Sequence, residues 1–208
     1  MPASLLSAAV FRPPGGHAGF PDRLYTRPMS GARPRIFLIG PTGSGKTAVG
    51  RQLARETGLK FLDSDHEIEK RTGVEISYIF EKEGEAGFRD REKEMIRELS
   101  QLDDVVLATG GGAILAPANR KCLANNGTVI YLKTSIGEQL KRTGRSRKRP
   151  LLFNGKPREV LEEMARQRSP LYEKIADIEF DTSNQRVRSV ASKLKTLLES
   201  EGILEAKT

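Results

Sequence analysis

Residues 40–47 read Gly-Pro-Thr-Gly-Ser-Gly-Lys-Thr and satisfy the pattern GxxxxGK[ST] in full. Gly40, Gly43 and Gly45 let the backbone take conformations that a Cβ would block, so successive N–H groups can surround a phosphate at the positive end of a following helix. Lys46 then reaches the β- and γ-phosphates, and the hydroxyl of Thr47 is placed to ligate Mg²⁺. Such a loop needs a strand before it and a helix after it. Ile36-Phe37-Leu38-Ile39 precedes, and the apolar-periodic stretch Ala48 to Ala54 follows. A second group of chemically capable residues is Asp63-Ser64-Asp65. Acids at strand ends and in first helical turns are common for helix-dipole reasons. Beside a phosphate loop the functional reading is stronger: Asp63 supports Mg²⁺ while Asp65 holds a substrate hydroxyl and could deprotonate it.

Three further stretches could contribute. Gly110-Gly111-Gly112 costs more chain entropy than a plain turn requires, which favours a place where backbone must come close to something. The segment 143–158 mixes Gly144, Pro150, Gly155 and Pro157 with clustered bases, and its expected role is a mobile lid that brings arginine to the phosphates and expels water. Asp181 to Gln185 is a polar turn able to hold an adenine edge. Arg89 opens a helix beside a glycine-rich turn, where a surface charge is the plain reading. His66 reads as surface and Cys122 as packing.

The elements that must position these residues alternate regularly. Strands are expected at about 36–39, 59–62, 105–108, 127–132 and 175–180. Helices are expected to about Thr57 with Gly58 as the stop, then over 66–71, 74–80, 88–101, from Pro117, over 135–142, 158–174 and 187–199. Ser64 and Glu67 have capping-box spacing, which places Asp65 in a first helical turn. Glu92, Lys93, Glu94, Arg97 and Glu98 read as the solvated face of the 88–101 helix. The pattern predicts an α/β fold with a five-stranded parallel sheet flanked by helices. The glycine loop, the Asp63/Asp65 pair, the triple glycine and the 181–185 turn all follow strand ends, so they should converge on one rim of that sheet.

A chain of 208 residues with 37% hydrophobic and 30% charged residues suits one globular domain. No apolar run approaches the ~20 residues of a membrane helix. The net charge of +8 is concentrated in two places: Arg12, Arg23, Arg27, Arg33 and Arg35 near the start, and Lys141, Arg142, Arg145, Arg147, Lys148 and Arg149 without an intervening acid. The remainder is slightly acidic, so the basicity describes a tail and a lid rather than a nucleic-acid face. With Cys122 the only cysteine, no intrachain disulfide is possible and a reducing, cytoplasmic setting is the simple expectation. Residues 1–33 are rich in Pro, Gly, Ala and Arg and read as a flexible extension, with 34–208 as the folded domain. A dispensable tail is the favoured reading, against a transit peptide of weak amphipathicity or a true start at Met29.

Taken together, the motifs resemble those of the shikimate kinase family over about residues 35–200. GPTGSGKT is followed in order by Asp63-Ser-Asp through Glu67-Ile-Glu-Lys-Arg-Thr-Gly73, Gly87-Phe-Arg-Asp-Arg-Glu92, Leu107-Ala-Thr-Gly-Gly-Gly112, Arg149-Pro-Leu-Leu152 and Arg168-Ser-Pro-Leu-Tyr172. The resemblance implies a nucleoside monophosphate kinase-like P-loop fold and transfer of the ATP γ-phosphoryl group to the 3-hydroxyl of shikimate, on the route to chorismate and the aromatic amino acids. It implies nucleotide contacts from Gly43, Ser44, Gly45, Lys46, Thr47, Ala48, Arg142, Arg149 and Gln185, with Mg²⁺ at Thr47 and Asp63. Lys46, Asp65 and Arg149 would serve catalysis. Shikimate would meet Asp65, Arg89, Gly111, Gly112 and Arg168, the two arginines clamping its carboxylate. The partners implied are shikimate and Mg-ATP, without nucleic acid or membrane, for a protein expected to be a monomer. Rival readings are a gluconate or nucleoside monophosphate kinase, an ATP-using nucleic-acid binder, and a non-catalytic kinase-like regulator. The paired arginines beside a triple glycine favour a cyclic carboxylate over the first. The 6% aromatic content without Trp speaks against the second, and the complete set of motif residues against the third.

Overall fold

The structure is a computed structural model that describes residues 9–11, 33–143 and 156–205. Its strands are β1 (Ala9–Phe11), β2 (Arg35–Ile39), β3 (Lys60–Asp63), β4 (Val105–Ala108), β5 (Thr128–Lys133) and β6 (Ile178–Asp181), in the sheet order β1-β6-β5-β2-β4-β3. The five from β2 to β6 are parallel, as the alternation of strand and helix predicts. The added strand β1 runs antiparallel against β6, with Ala9 opposite Phe180 and Phe11 opposite Ile178. It lies within the stretch read from sequence as a flexible extension. Three residues carry no periodicity, and only the free edge of β6 gives them a partner.

The helices are α1 (Lys46–Thr57), α2 (Ser64–Thr72), α3 (Ile76–Leu99), α4 (Pro117–Asn126), α5 (Ile136–Thr143), α6 (Pro157–Ile175) and α7 (Val187–Ser200). They cover both faces of the sheet. Alternate β2 residues show how: Ile36 and Leu38 pack into a core with Val49, Leu53, Val190, Leu194 and Leu198 of α1 and α7. Phe37 and Ile39 point the other way, into a core with Met95, Ile96 and Leu99 of α3, Leu123 of α4 and Tyr172 of α6. Strands covered on both faces read as unbroken apolar runs, which is why β2 and β4 were legible.

Several boundaries differ from expectation. Asp63, not Ser64, caps α2, its Oδ1 accepting from the N–H groups of Asp65 (3.1 Å) and His66 (3.5 Å). A carboxylate one residue earlier reaches the first free donors, and Asp65 still falls in the first turn. Residues 76–99 comprise two helical runs that meet at Gly84, whose φ 69° and ψ −174° are not helical, so the break between the expected 74–80 and 88–101 helices is present but narrower, and Gly87 lies inside the second run. α6 runs to Ile175, so β6 begins at Ile178 instead of 175. Gly58 and Gly73 end α1 and α2 in left-handed conformation, Gly58 as predicted.

Placing β2 between β4 and β5 sends the chain first to one side and then to the other. The crevice where such a sheet reverses lies at the carboxyl ends of its strands. The phosphate loop leaves β2 at that point.

Candidate active site

The loop from Gly40 to Gly45 folds tightly because its glycines permit it. Gly40 has φ +141°, and a Cβ there would stand 2.5 Å from the carbonyl oxygen of Leu132 on β5. Gly43, Ser44 and Gly45 lead into α1, whose first turn holds Lys46, Thr47 and Ala48. Lys46 Nζ donates to Gly40 O (2.7 Å) and Pro41 O (2.9 Å), so the ammonium lies over the loop. The Thr47 hydroxyl donates to Asp63 Oδ2 at 2.7 Å. This contact joins the start of α1 to the end of β3 and sets two hard oxygen donors side by side.

Such a donor set fits Mg²⁺. That ion keeps several waters and takes one or two protein oxygens together with phosphate oxygens, rather than an all-protein cage. Consistent with this, no cluster of three metal-ligating His, Cys, Asp or Glu residues occurs among the described residues.

The three glycines after β4 lie beneath side chains from α2 and α3. A Cβ on Gly110 would come within 2.7 Å of Asp65 Oδ1 and 3.0 Å of Glu92 Oε1. On Gly112 it would come within 2.5 and 2.6 Å of the Arg89 guanidinium nitrogens. The expectation of close approach is therefore met by side chains crowding the backbone from α2 and α3. Gly110 N–H donates to the buried Ser64 hydroxyl (3.1 Å), which fixes the glycine segment to the start of α2. Gly111 faces the phosphate loop, where an added Cβ would lie 3.2 Å from Thr42 N. The glycine segment therefore adjoins the phosphate loop.

Two arginines flank these glycines. Arg89 donates to Glu92 Oε2 (2.8 Å) and to Glu85 Oε1 (2.9 Å), while Arg168 Nη1 donates to Gly111 O (3.4 Å). Arg168 Nε is buried and has no hydrogen-bond partner among the described residues. Glu92 is 1% exposed, which overturns its reading as solvated face. A signal was present: Phe88, Glu92, Met95, Ile96 and Leu99 form one helical stripe, and Glu92 is its single charged member. Burial raises the Glu92 pKa from the usual carboxyl range, against the opposing pull of Arg89 and Arg168. Burial also works against the Arg89 cation, but Glu92 and Glu85 outweigh it and hold its pKa up.

On the nucleotide side, Arg142 Nη1 donates to Gly43 O (3.1 Å) and Nη2 to Thr182 O (3.0 Å), and Glu138 pairs with the same guanidinium at 3.1 Å. A cleft of about 550 Å³ is lined by Glu138, Lys141, Arg142, Asn184, Gln185 and Arg186. Gln185 is held by donating to Asp181 O (2.6 Å) and accepting from Lys193 Nζ (2.9 Å). The buried Thr182 hydroxyl lies 3.0 Å from Ser44 O and 2.9 Å from Lys133 O, tying the end of β6 to the phosphate loop. Thr182, Ser64 and Tyr172 lie within stretches that the sequence marks, but none of the three was assigned a contact in the site. Arg149 and all of the 143–158 lid except Thr143 and residues 156–158 lie outside the described residues.

The shikimate kinase family model matches residues 42–199, about three quarters of the chain. The chain belongs to the shikimate kinase family. Shikimate kinase 1 of Enterobacter sp. (strain 638) is 51% identical over 166 residues, covering 79% of this chain and 96% of that protein. The solved shikimate kinase from Acinetobacter baumannii in complex with shikimate is 48% identical, with a TM-score of 0.78 over 81% of this chain and 94% of its own. Shikimate kinase from Bacteroides thetaiotaomicron is 29% identical with a TM-score of 0.73. The family match begins at residue 42 and so leaves both β1 and β2 outside it.

Proposed function

We propose that this protein transfers the γ-phosphoryl group of ATP to the 3-hydroxyl of shikimate, giving shikimate 3-phosphate and ADP on the route to chorismate and the aromatic amino acids. The observation that carries the reading is the meeting of the phosphate loop with the Gly110–Gly112 segment. Gly111 abuts Thr42 of the phosphate loop, while Asp65, Arg89 and Arg168 converge on the same three glycines. Membership of the shikimate kinase family supplies the acceptor.

The residues then take the following roles. Loop N–H groups from Gly43 to Ala48 hold the β- and γ-phosphates at the α1 N-terminus, and Lys46 turns from the loop carbonyls to the phosphates. Thr47 and Asp63 hold Mg²⁺, which when bound neutralises the charge developing on the phosphates. Arg142 and Gln185 line the adenine cleft. Arg89 and Arg168 take the shikimate carboxylate through their planar forks. The N–H groups of Gly111 and Gly112 line the substrate, and Asp65 orients the attacking hydroxyl and accepts its proton. Arg149 completes the phosphate site from the lid. Because phosphoryl transfer passes through a loose transition state, most of the acceleration comes from positioning and charge stabilisation. The reading includes a monomeric, cytoplasmic enzyme, which a single cysteine suits.

A coupled ADP-release assay with Mg-ATP tests the proposal, comparing shikimate, quinate, gluconate and AMP at equal concentration. Turnover confined to shikimate is expected. Release driven by gluconate or AMP instead would keep the phosphate site and overturn the substrate assignment.

A further inference from the structure

Tyr172 stands four residues after Arg168 on α6, so the two side chains share a face. Both reach the same atom. The Tyr172 hydroxyl donates to Gly111 O at 2.5 Å, and Arg168 Nη1 approaches that oxygen at 3.4 Å. The phenol is 2% exposed and its ring stacks on Tyr131 of β5, centroids 4.9 Å apart and planes inclined by 23°. It is therefore held rigidly by the sheet on one side and by its own helix on the other.

The target is an unusual one. Gly111 and Gly112 both lack side chains, so the peptide between them can rotate with little steric resistance. In a trans peptide the carbonyl of one residue and the N–H of the next share a plane and point in opposite directions. Fixing Gly111 O against α6 therefore aims the Gly112 N–H away from α6. Gly112 itself lies against the Arg89 guanidinium.

We infer that Tyr172 is a positioning residue whose hydroxyl locks the Gly111–Gly112 peptide in the orientation that turns the Gly112 N–H away from α6 and presents it to the acceptor substrate. Nothing in the reaction requires the phenol to touch substrate; it acts through the backbone. Burial raises the Tyr172 pKa far above its ordinary value, with Arg168 pulling the other way, so the O–H donor persists across the working pH range. The inference rests on the shikimate reading for the identity of the acceptor, but the lock itself does not.

The test is Tyr172→Phe, which keeps the ring and its stack on Tyr131 and removes the hydroxyl alone. KM for shikimate should rise about 5- to 20-fold, on the order of one lost hydrogen bond amplified by peptide disorder. kcat should fall less than about threefold, and KM for ATP should stay within about twofold, since the phosphate loop is untouched. In ¹⁵N-labelled protein without substrate, the single Gly112 amide signal should split or broaden as two peptide orientations exchange. An unchanged shikimate KM with one sharp Gly112 signal would overturn the lock. A parallel rise in both KM values that follows a large fall in Tm would also overturn it, by showing a general scaffold role. Should the wild-type enzyme use another acceptor, the substrate reading fails while the Gly112 signal still decides the lock.

Discussion

Thr47 Oγ1 and Asp63 Oδ2 lie 2.7 Å apart although they belong to different elements, one at the start of α1 and the other at the end of β3. The carboxylate has a second task, since its other oxygen caps α2. These tasks separate on substitution. Asp63→Asn keeps a good capping group and loses the charge, so stability should change little while the Mg²⁺ concentration for half-maximal rate rises at least about tenfold. Asp63→Ala should lose in addition about 1 kcal/mol of stability. Magnesium titrations of activity and urea unfolding of both variants distinguish the two effects, and an unaltered Mg²⁺ requirement in Asp63→Asn would refute the metal assignment.

Asp65 lies against Gly110, next to the glycine that adjoins the phosphate loop. Asp65→Asn keeps size and removes the acceptor of the hydroxyl proton. We expect kcat to fall about 10²- to 10⁴-fold, the usual span for a positioned acid or base, with modest change in ATP affinity. Single-turnover kinetics with saturating shikimate provide the measurement, and near-normal turnover contradicts the role.

Arg89 and Glu92 form a pair in which one partner is 1% and the other 20% exposed. Removing only the arginine strands a buried carboxylate. Arg89→Ala should therefore destabilise toward the low end of the ~3–5 kcal/mol typical of broken buried pairs, since the arginine keeps some contact with water. Glu92→Gln in the same background should restore part of that loss. A double-mutant cycle by denaturant unfolding reads the coupling, and an interaction energy below about 0.5 kcal/mol removes the pair from the argument.

The raised Glu92 pKa also has a sign that can be tested. A carboxyl that holds its proton more tightly in the folded than in the unfolded protein favours folding at low pH. Its contribution fades as pH rises from the ordinary carboxyl range through the folded value. Stability of the wild type relative to Glu92→Gln should therefore decline with rising pH in that window. Thermal unfolding of both proteins at matched pH values isolates the effect, because the other titrating groups cancel in the difference. A relative stability that instead climbs with pH would show a depressed pKa and a dominant ion pair.

The phosphate loop, the Asp63/Asp65 pair, the triple glycine and the presence of five parallel strands were all legible in the chain, whereas their order in the sheet was not. Each is a local arrangement of consecutive residues: a glycine pattern between an apolar strand and a periodic helix, acids at a strand end, apolar runs at regular intervals. Local geometry follows from φ/ψ preference and periodicity, which neighbours in sequence suffice to express. Sequence also carried the stripe that places Glu92 inward, although charge made it read as surface.

Other features depended on distance. Tyr172 reaches an oxygen 61 positions away and Thr182 one 138 positions away, and β1 exists by virtue of an edge supplied by β6. Burial of Glu92 depended on which groups α2, α6 and β4 brought against it. These relationships are set by the packing of elements around the sheet, where side chains from remote segments compete for the same few ångströms. No local propensity encodes that competition, so only the tertiary structure decided which polar groups were drawn inward, and against which partners.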